Sequence, residues 1–166
     1  SGDTWNLFNS EHGLPDHVIR AMTFDEKGIL WLATHSAGLV RYDGTNFESF
    51  GRSYGIPNVR LWCLMSDRRG RIWAGTDSGI WIFDPASGRG KVVDQSHGLP
   101  SMNVLFLGQD HRGGVWVGTT RGVSHLTEDG AVVQNYGAQH GLSDSEVAEN
   151  AVLVDQNGYV WMGMSN

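Results

Sequence analysis

Residues 67–76 read DRRGRIWAGT, and the pattern Asp-x-x-Gly-x-[Ile/Leu/Val]-Trp at its start occurs four times in the chain. The other copies are DEKGILW from residue 25, DHRGGVW from 110 and DQNGYVW from 155. Their tryptophans, Trp31, Trp73, Trp116 and Trp161, are separated by 42, 43 and 45 residues. A second phrase keeps the same period: HGLP at 12, YGIP at 54, HGLP at 97 and HGLS at 140. Such regular recurrence indicates structural repeats rather than a catalytic signature.

A period of 40 to 45 residues is typical of four-stranded propeller blades, and the chain has no long stretch with the 3.6-residue period of a helix. Within the first repeat, alternating apolar residues and turn residues predict four strands. These predicted strands cover residues 19–24, 29–34, 38–43 and 46–50, with turns at 25–28 and 43–45. The sequence therefore predicts an all-β fold of four-stranded antiparallel blades.

Blade boundaries follow from this alignment of the repeats. We expect an outer strand at 3–8, blades at about 18–50, 60–94 and 103–136, and an incomplete blade at 147–164. About 3.5 to 4 blades are then present, and a propeller ring needs at least four. We expect the chain to form part of a larger ring, or to close by association with a second copy.

The shared positions of the repeat have a physical interpretation. The four aspartates are predicted to cap turn amides, and the glycine three residues later supplies a positive φ. They are Asp25, Asp67, Asp110 and Asp155. The residue two positions past each tryptophan is small: Ala33, Gly75, Gly118 or Gly163. We expect side chains of a neighbouring blade, its indole among the candidates, to lie over this backbone, and the four indoles to pack between adjacent blades.

Composition excludes several classes of partner and chemistry. The net charge of −6 comes from singly scattered acids, which predicts no nucleic-acid or anionic-membrane partner. Arg68, Arg69 and Arg71 form the densest basic stretch and are interpreted as a solvated turn. Cys63 is the only cysteine, so no internal disulfide can form. Its setting, RLWCLMSD, predicts a buried apolar residue. We expect no membrane segment in this chain, no cofactor and no metal.

These phrases resemble the two-component regulator propeller repeat, which occurs in the extracytoplasmic sensor regions of bacterial hybrid histidine kinases and some diguanylate cyclases. The resemblance covers essentially the whole chain. It implies a seven-bladed ring, a periplasmic or extracellular location, and a signalling module elsewhere in the protein.

Two repeats depart from the pattern of this family. In the last copy Asp155 follows Gly141 by fourteen positions, where the corresponding offset in the others is twelve, and a serine takes the place of proline. It is similar to the variant repeat that often closes a propeller in this family. The third repeat has Ser124 and His125 where the second has Trp81 and Ile82.

Histidines are the most numerous candidates for chemistry. His12, His97 and His140 occupy one repeated position, which Tyr54 takes in the remaining copy. Equivalent residues lie far apart around a ring, so we interpret them as structural turn residues rather than metal ligands. Unrepeated polar residues on loops are the better functional candidates.

In a propeller, the loops between blades share one face with the loops between second and third strands. The polar side chains predicted on this loop face form the candidate binding site. They are Asp16, His17, His35, Asn58, Arg60, Asp77, Asn103, Arg121, Asp144 and Glu146. Their mixed charge and hydrogen-bonding capacity suit an oligosaccharide or another polar small ligand, a peptide, or a protein.

No sequence signature of a hydrolase, a metalloprotease, a nucleotide-binding enzyme or a kinase is present. We therefore expect a non-catalytic sensory region that binds a polar ligand on the loop face. Two alternatives stay open: a scaffold or assembly segment without a ligand of its own, and, less favoured, a propeller lyase or hydrolase.

Overall fold

The computed structural model describes residues 5–51, 54–55, 59–142 and 147–165. Its strands form three four-stranded antiparallel sheets and one two-stranded sheet, each with its strands in sequence order. The first sheet contains β1 (Ile19–Phe24), β2 (Leu30–Thr34), β3 (Leu39–Tyr42) and β4 (Phe47–Phe50). The second contains β5 (Leu61–Ser66), β6 (Ile72–Thr76), β7 (Gly79–Asp84) and β8 (Arg89–Val93). The third contains β9 (Val104–Gln109), β10 (Val115–Thr119), β11 (Gly122–Leu126) and β12 (Val132–Tyr136). The last contains β13 (Val147–Val154) and β14 (Val160–Met164).

The sheets follow one another as propeller blades. β1 packs beside β5, β5 beside β9, and β9 beside β13, so the first strand of each sheet is its innermost one. The all-β propeller fold predicted from the repeats is confirmed.

The outer strand predicted for residues 3–8 is not formed over its described part. Residues 5–9 lie outside any strand. A strand needs a neighbour to satisfy its backbone donors and acceptors, and all four strands of the first sheet pair only with one another. Phe8 instead packs edge-on against the rings of Tyr42 and Phe47, at centroid distances of 5.2 and 5.7 Å.

Each turn between the first two strands is organised by its aspartate. Asp25 Oδ1 accepts hydrogen bonds from the backbone N–H groups of Lys27 and Ile29, at 2.9 and 3.0 Å. Gly28 follows with a φ of 77°, the left-handed conformation that a glycine adopts without strain. The predicted capping of turn amides is therefore present.

The same carboxylate has a second function that the sequence pattern did not indicate. Its other oxygen accepts a hydrogen bond from the indole N–H of the repeated tryptophan. The donor–acceptor distances are 3.0 Å for Trp31–Asp25, 2.7 Å for Trp73–Asp67, 3.2 Å for Trp116–Asp110 and 2.9 Å for Trp161–Asp155. In the last pair this bond is the main cause that lowers the pKa of Asp155. The one polar group of each indole is thus paired, which allows the ring to pack in the apolar space between sheets.

The repeated indoles are buried to the extent that a following sheet packs against them. Trp31 packs with Ile72 and Phe83 of the second blade, and Trp73 packs with Val104 of the third. Both side chains are at most 1% exposed. Trp116 is half-buried, whereas Trp161 on the last sheet is 61% exposed. The predicted packing of indoles between adjacent blades is confirmed for the first two.

The prediction for the small residue past each tryptophan was only partly right. A Cβ on Gly75 would collide with Cys63 of its own blade and approach Val104 Cγ1 of the next blade to 2.7 Å. At Gly118 the obstacle is the ring of Phe106, from the same blade. No indole covers either glycine, because the hydrogen bond to aspartate holds each ring towards its own turn.

The basic stretch predicted to be a solvated turn instead connects two blades. Arg69 pairs with Glu128 and Asp129 of the third blade at 2.6 and 2.8 Å. Arg71 donates to the carbonyl oxygen of Glu128 at 2.6 Å and to Asp67 Oδ2 at 2.7 Å. These arginines lie at a blade boundary, where the strand-connecting turn of the next sheet supplies acceptors.

Substitution of Asp67 by asparagine should be far more costly than the same change at Asp155. Asp67 is 1% exposed. It accepts hydrogen bonds from the backbone N–H groups of Arg69 and Arg71 and from the side chains of Arg71 and Trp73. Losing charge-assisted hydrogen bonds in a buried site should lower the free energy of unfolding by about 3 kcal/mol. Urea denaturation followed by circular dichroism measures the loss.

Asp155→Asn is the matched control because it changes the same atoms beside an exposed indole. Its effect on the free energy of unfolding should be much smaller. Equal losses in the two variants would contradict the dependence of the Asp–Trp pair on burial.

Candidate ligand-binding face

The loops predicted to share one face do meet in the structure. In the first blade His35 N–H donates to the carbonyl oxygen of Val18 at 3.0 Å. In the third, Thr120 N–H donates to Asn103 at 3.3 Å. These bonds connect the loop that enters each blade to the loop between its second and third strands. In both blades the two loops are therefore held together by a backbone hydrogen bond.

The first strand of every sheet has an irregular pairing register near its start, next to this face. The pairing register shifts between Ile19 and Ala21, and again between Leu61 and Cys63. In the third blade Thr119 pairs with Val104 and Gly118 with Phe106, so Leu105 is the extra residue. Such β-bulges interrupt the alternation of side chains and redirect the extra residue. The extra residues of the first two blades are Arg20 and Trp62.

Four side chains gather around these bulges, and we name Arg20, His35, Arg60 and Trp62 the Arg–Trp cluster. The guanidinium carbon of Arg20 lies 4.9 Å from the centroid of the Trp62 ring, and that of Arg60 lies 6.0 Å from it. Arg20 Nη2 is 3.0 Å from His35 Nδ1. His35 and Arg60 are exposed, whereas Arg20 and Trp62 are half-buried. The cluster thus bridges the first and second blades.

The Arg–Trp cluster carries two positive charges, those of Arg20 and Arg60. Among the residues that the structure describes, no carboxylate lies within 4.0 Å of Arg20 or Arg60, whereas Arg41, Arg69 and Arg71 all form ion pairs. The Nε atom of Arg20 is buried and has no hydrogen-bond partner.

The last sheet reaches across to the cluster. Asn150 Nδ2 donates to the carbonyl oxygen of Trp62 at 3.4 Å, although the whole third blade separates them in sequence. Asn150 has a φ of 55°, within the irregular part of β13 where the pairing skips from Val147 to Val152. Beside it lies a cavity of about 280 Å³, lined also by Met22. The long bulge of β13 therefore places polar backbone and amide groups between the inner strands.

Asp16, predicted to bind ligand, has an internal role. It is 8% exposed, and its carboxylate accepts from Val18 N–H at 2.9 Å and from the N–H and Oγ of Ser36 at 2.6 and 2.8 Å. The hydrogen bond from Val18 is the largest cause that lowers the pKa of Asp16, to about 2. Its oxygens join two loops of the face and are already occupied.

The other predicted residues are spread over the face. His17, Asn103 and Arg121 are exposed, and their side chains form no hydrogen bond with another residue that the structure describes. Asp77 is half-buried and accepts from Ser78 Oγ at 3.3 Å. The structure brings only His35 and Arg60 of the predicted set into one cluster. Three further candidates lie outside the described residues: Asn58, Asp144 and Glu146.

The repeated histidines have the structural role that was predicted. Each ends a one-turn 3₁₀ helix and bonds back to its start. His12 Nδ1 lies 2.6 Å from Asn9 Oδ1, and His97 Nδ1 lies 2.8 Å from Asp94 Oδ1. His140 Nδ1 accepts from a backbone N–H at 3.3 Å. Within the described part of the chain, no group of three potential ligands is arranged to hold a metal ion.

Cys63 is buried, as predicted, at 1% exposure. Burial is the largest cause that raises the pKa of its thiol. A neutral, enclosed thiol is a poor nucleophile, so the structure assigns Cys63 to the core.

A larger cleft of about 740 Å³ lies between the third blade and the last sheet, lined by Trp116, His125 and Val160 among others. His125 Nε2 is 3.1 Å from Asp110 Oδ2, a carboxylate–imidazole contact of the kind found in acid–base sites. Asp110, however, is the repeated turn residue and already accepts from Trp116. In the second blade, the corresponding turn is covered by Glu128 of the next sheet. We therefore attribute this cleft to blade packing.

Sequence reasoning missed Arg20 and Trp62. Arg20 lies inside a correctly predicted strand, where the bulge that redirects it has no clear sequence signal. Trp62 had a usable signal, because it is a tryptophan outside the repeated Asp–Trp motif.

The fold and this loop face define the class of protein: β-propeller blades that present a cationic, aromatic cluster beside their inner strands. Residues 13–36, 55–78 and 98–121 match the model of the family described as two component regulator propeller. Three of the repeats in the chain are therefore repeats of this family. No curated protein matches the sequence significantly.

Solved structures share the fold at low sequence identity. The extracellular domain of BT3049 from B. thetaiotaomicron, assigned as a hybrid two-component system, aligns over 96% of this chain with a TM-score of 0.82 and 20% identity. The corresponding domain of BT4673 from the same organism aligns over 90% with a TM-score of 0.69 and 21% identity. Virginiamycin B lyase from Staphylococcus aureus aligns over 90% with a TM-score of 0.73 and 15% identity.

The chain spans 22%, 23% and 50% of these three structures, respectively. At such identities the similarity establishes the fold alone. A search of the described residues finds no helix with the length and apolar character needed to span a bilayer.

Removing the Asp16 carboxylate should produce a stability loss that depends on pH. Because folding lowers this pKa from 3.8 to about 2, the charge stabilises the fold above about pH 4, and this contribution is lost as the pH falls towards 2. Asp16→Asn should therefore lower the free energy of unfolding by up to about 2 kcal/mol at neutral pH. Urea denaturation of both proteins at several pH values should show the gap narrowing between pH 4 and 2. A gap independent of pH would contradict this assignment.

Proposed function

We propose that this chain is the non-catalytic, ligand-binding part of a bacterial two-component signalling protein, and that it binds a polar ligand such as an oligosaccharide on the loop face. The observation that carries the proposal is the Arg–Trp cluster. It combines an indole with hydrogen-bond donors on one face of the blades, the combination with which proteins recognise sugars and other polar ligands.

The similarity to extracellular domains assigned to hybrid two-component systems supports a sensory function. It also supports a location on the periplasmic or extracellular side of the membrane. Fold similarity extends to a lyase as well, so the fold does not by itself separate sensing from catalysis. Occupied carboxylates at Asp16 and Asp110 favour the non-catalytic interpretation.

Signalling requires the ligand to bind one conformation of the protein more tightly than another. The cluster is suited to this requirement, because Arg20 belongs to the first blade and Trp62 and Arg60 to the second. A ligand that contacts all three side chains would change the relative stability of blade arrangements. The output domain would then respond to the position of the blades.

The first blade and the last sheet both expose large apolar side chains, which indicates where further partners would pack. Met22 and Phe24 on the first blade are 66% and 65% exposed, and Trp161 on the last sheet is 61% exposed. Equivalent surfaces inside the arrangement are covered by neighbouring sheets. We propose that further blades, from the parent protein or from a second copy, cover these faces.

Isothermal titration calorimetry against a panel of plant and animal oligosaccharides tests the proposed function. We expect at least one oligosaccharide to bind, and Arg60→Ala and Trp62→Ala each to weaken its affinity about tenfold, or about 1.4 kcal/mol. Arg89→Ala is the control because Arg89 is an exposed arginine in the fourth strand of its blade, away from the cluster.

Binding that is unchanged in both cluster variants would exclude this face. Failure of every oligosaccharide to bind would contradict the saccharide ligand, and metal-dependent turnover of a bound compound would favour the lyase alternative.

A further inference from the structure

We infer that the ligand of the Arg–Trp cluster is anionic, namely a saccharide carrying carboxylate groups, and that Arg20 and Arg60 bind its negative charge. This inference rests on the proposed function and specifies its ligand. It follows from the arrangement of positive charge, not from the loop face in general.

Two guanidinium groups share one indole. Both guanidinium carbons lie within 6.0 Å of the Trp62 ring centroid, so two like charges contact the same partly buried aromatic ring. Cation–π attraction of about 0.5–1 kcal/mol for an exposed pair compensates part of their repulsion. A bound anion would attract both guanidinium groups and so offset the remaining repulsion between them.

The protein carries a net charge of −6, yet no described carboxylate pairs with Arg20 or Arg60. Glu149 of the last sheet lies near enough to Cys63 to contribute to its raised pKa, but it forms no ion pair with either arginine in the described part of the chain. The cluster is thus a local cationic site on an acidic protein.

His35 adds a hydrogen-bond donor to the cluster. A guanidinium can only donate hydrogen bonds, so the 3.0 Å contact between Arg20 Nη2 and His35 Nδ1 makes this nitrogen the acceptor. The ring proton is therefore on Nε2. Because His35 is exposed, this N–H is available to a ligand oxygen beside the arginines.

A carboxylate matches these donors in geometry as well as charge. Arginine presents a planar set of N–H groups that binds carboxylates through paired hydrogen bonds. Arg20 and Arg60 supply two such sets, and Trp62 positions both guanidinium groups. A chain of uronic acids presents carboxylates at regular intervals, whereas a neutral sugar leaves both charges unpaired.

The test compares tetragalacturonate with its fully methyl-esterified form, which has the same sugar backbone without charge. Isothermal titration calorimetry at low and physiological salt should show that the acid binds at least tenfold more tightly. Its affinity should fall as salt screens the charges. Arg20→Gln and Arg60→Gln should each weaken binding of the acid about tenfold, with little effect on the ester.

Two further variants keep the result interpretable. Arg20→Lys retains the charge, so it should retain more affinity for the acid than Arg20→Gln does. Arg112→Gln removes an exposed arginine in the other cleft, beside the third blade, and should have no effect. Circular dichroism of each variant checks that the fold is intact.

Equal binding of acid and ester, or binding of the acid that neither arginine variant weakens, would overturn the inference. A neutral oligosaccharide that binds in a Trp62-dependent way while tetragalacturonate does not would overturn it as well, yet leave the proposed function standing. If neither acidic nor neutral oligosaccharides bind, both proposals fail.

Discussion

The hydrogen bond between each repeated tryptophan and its aspartate is the interaction on which the rest of the structure depends. Burying an indole without a partner for its N–H is costly, and the aspartate six residues earlier supplies this partner in all four sheets. The same carboxylate fixes the turn through backbone amides. Turn and ring are therefore set together, and the ring is placed where only a neighbouring sheet can cover it.

Each blade is stabilised by contacts with its neighbouring blade as well as by contacts within its own sheet. Trp31 and Trp73 are buried because a following sheet packs on them, whereas the chemically identical Trp161 is 61% exposed. The polar contacts obey the same rule, since Arg69 and Arg71 of one blade find their acceptors on Glu128 and Asp129 of the next. Neighbour-dependent stability of this kind is characteristic of repeat proteins.

The candidate binding residues occur where the repeats differ. The bulge occurs at the same place in successive inner strands, but it carries Arg20 in the first blade, Trp62 in the second and Leu105 in the third. A constant backbone thus presents different side chains around one axis. The repeated histidines and aspartates are used in turns, which leaves the unrepeated residues free to contact a ligand.

The sequence alone determined the fold, because the spacing of Asp, Gly and Trp specifies turns and buried rings that only four-stranded blades satisfy. It also indicated the loop face and, within the candidate site, His35 and Arg60. Tertiary structure decided the rest. Asp16 proved to be internal because Ser36 approaches it from a distant loop, and Arg20 joined the site because a register shift, invisible in local sequence, brings it to Trp62 of another blade. Contacts between blades depend on how sheets pack, and packing is not encoded in the spacing of one repeat.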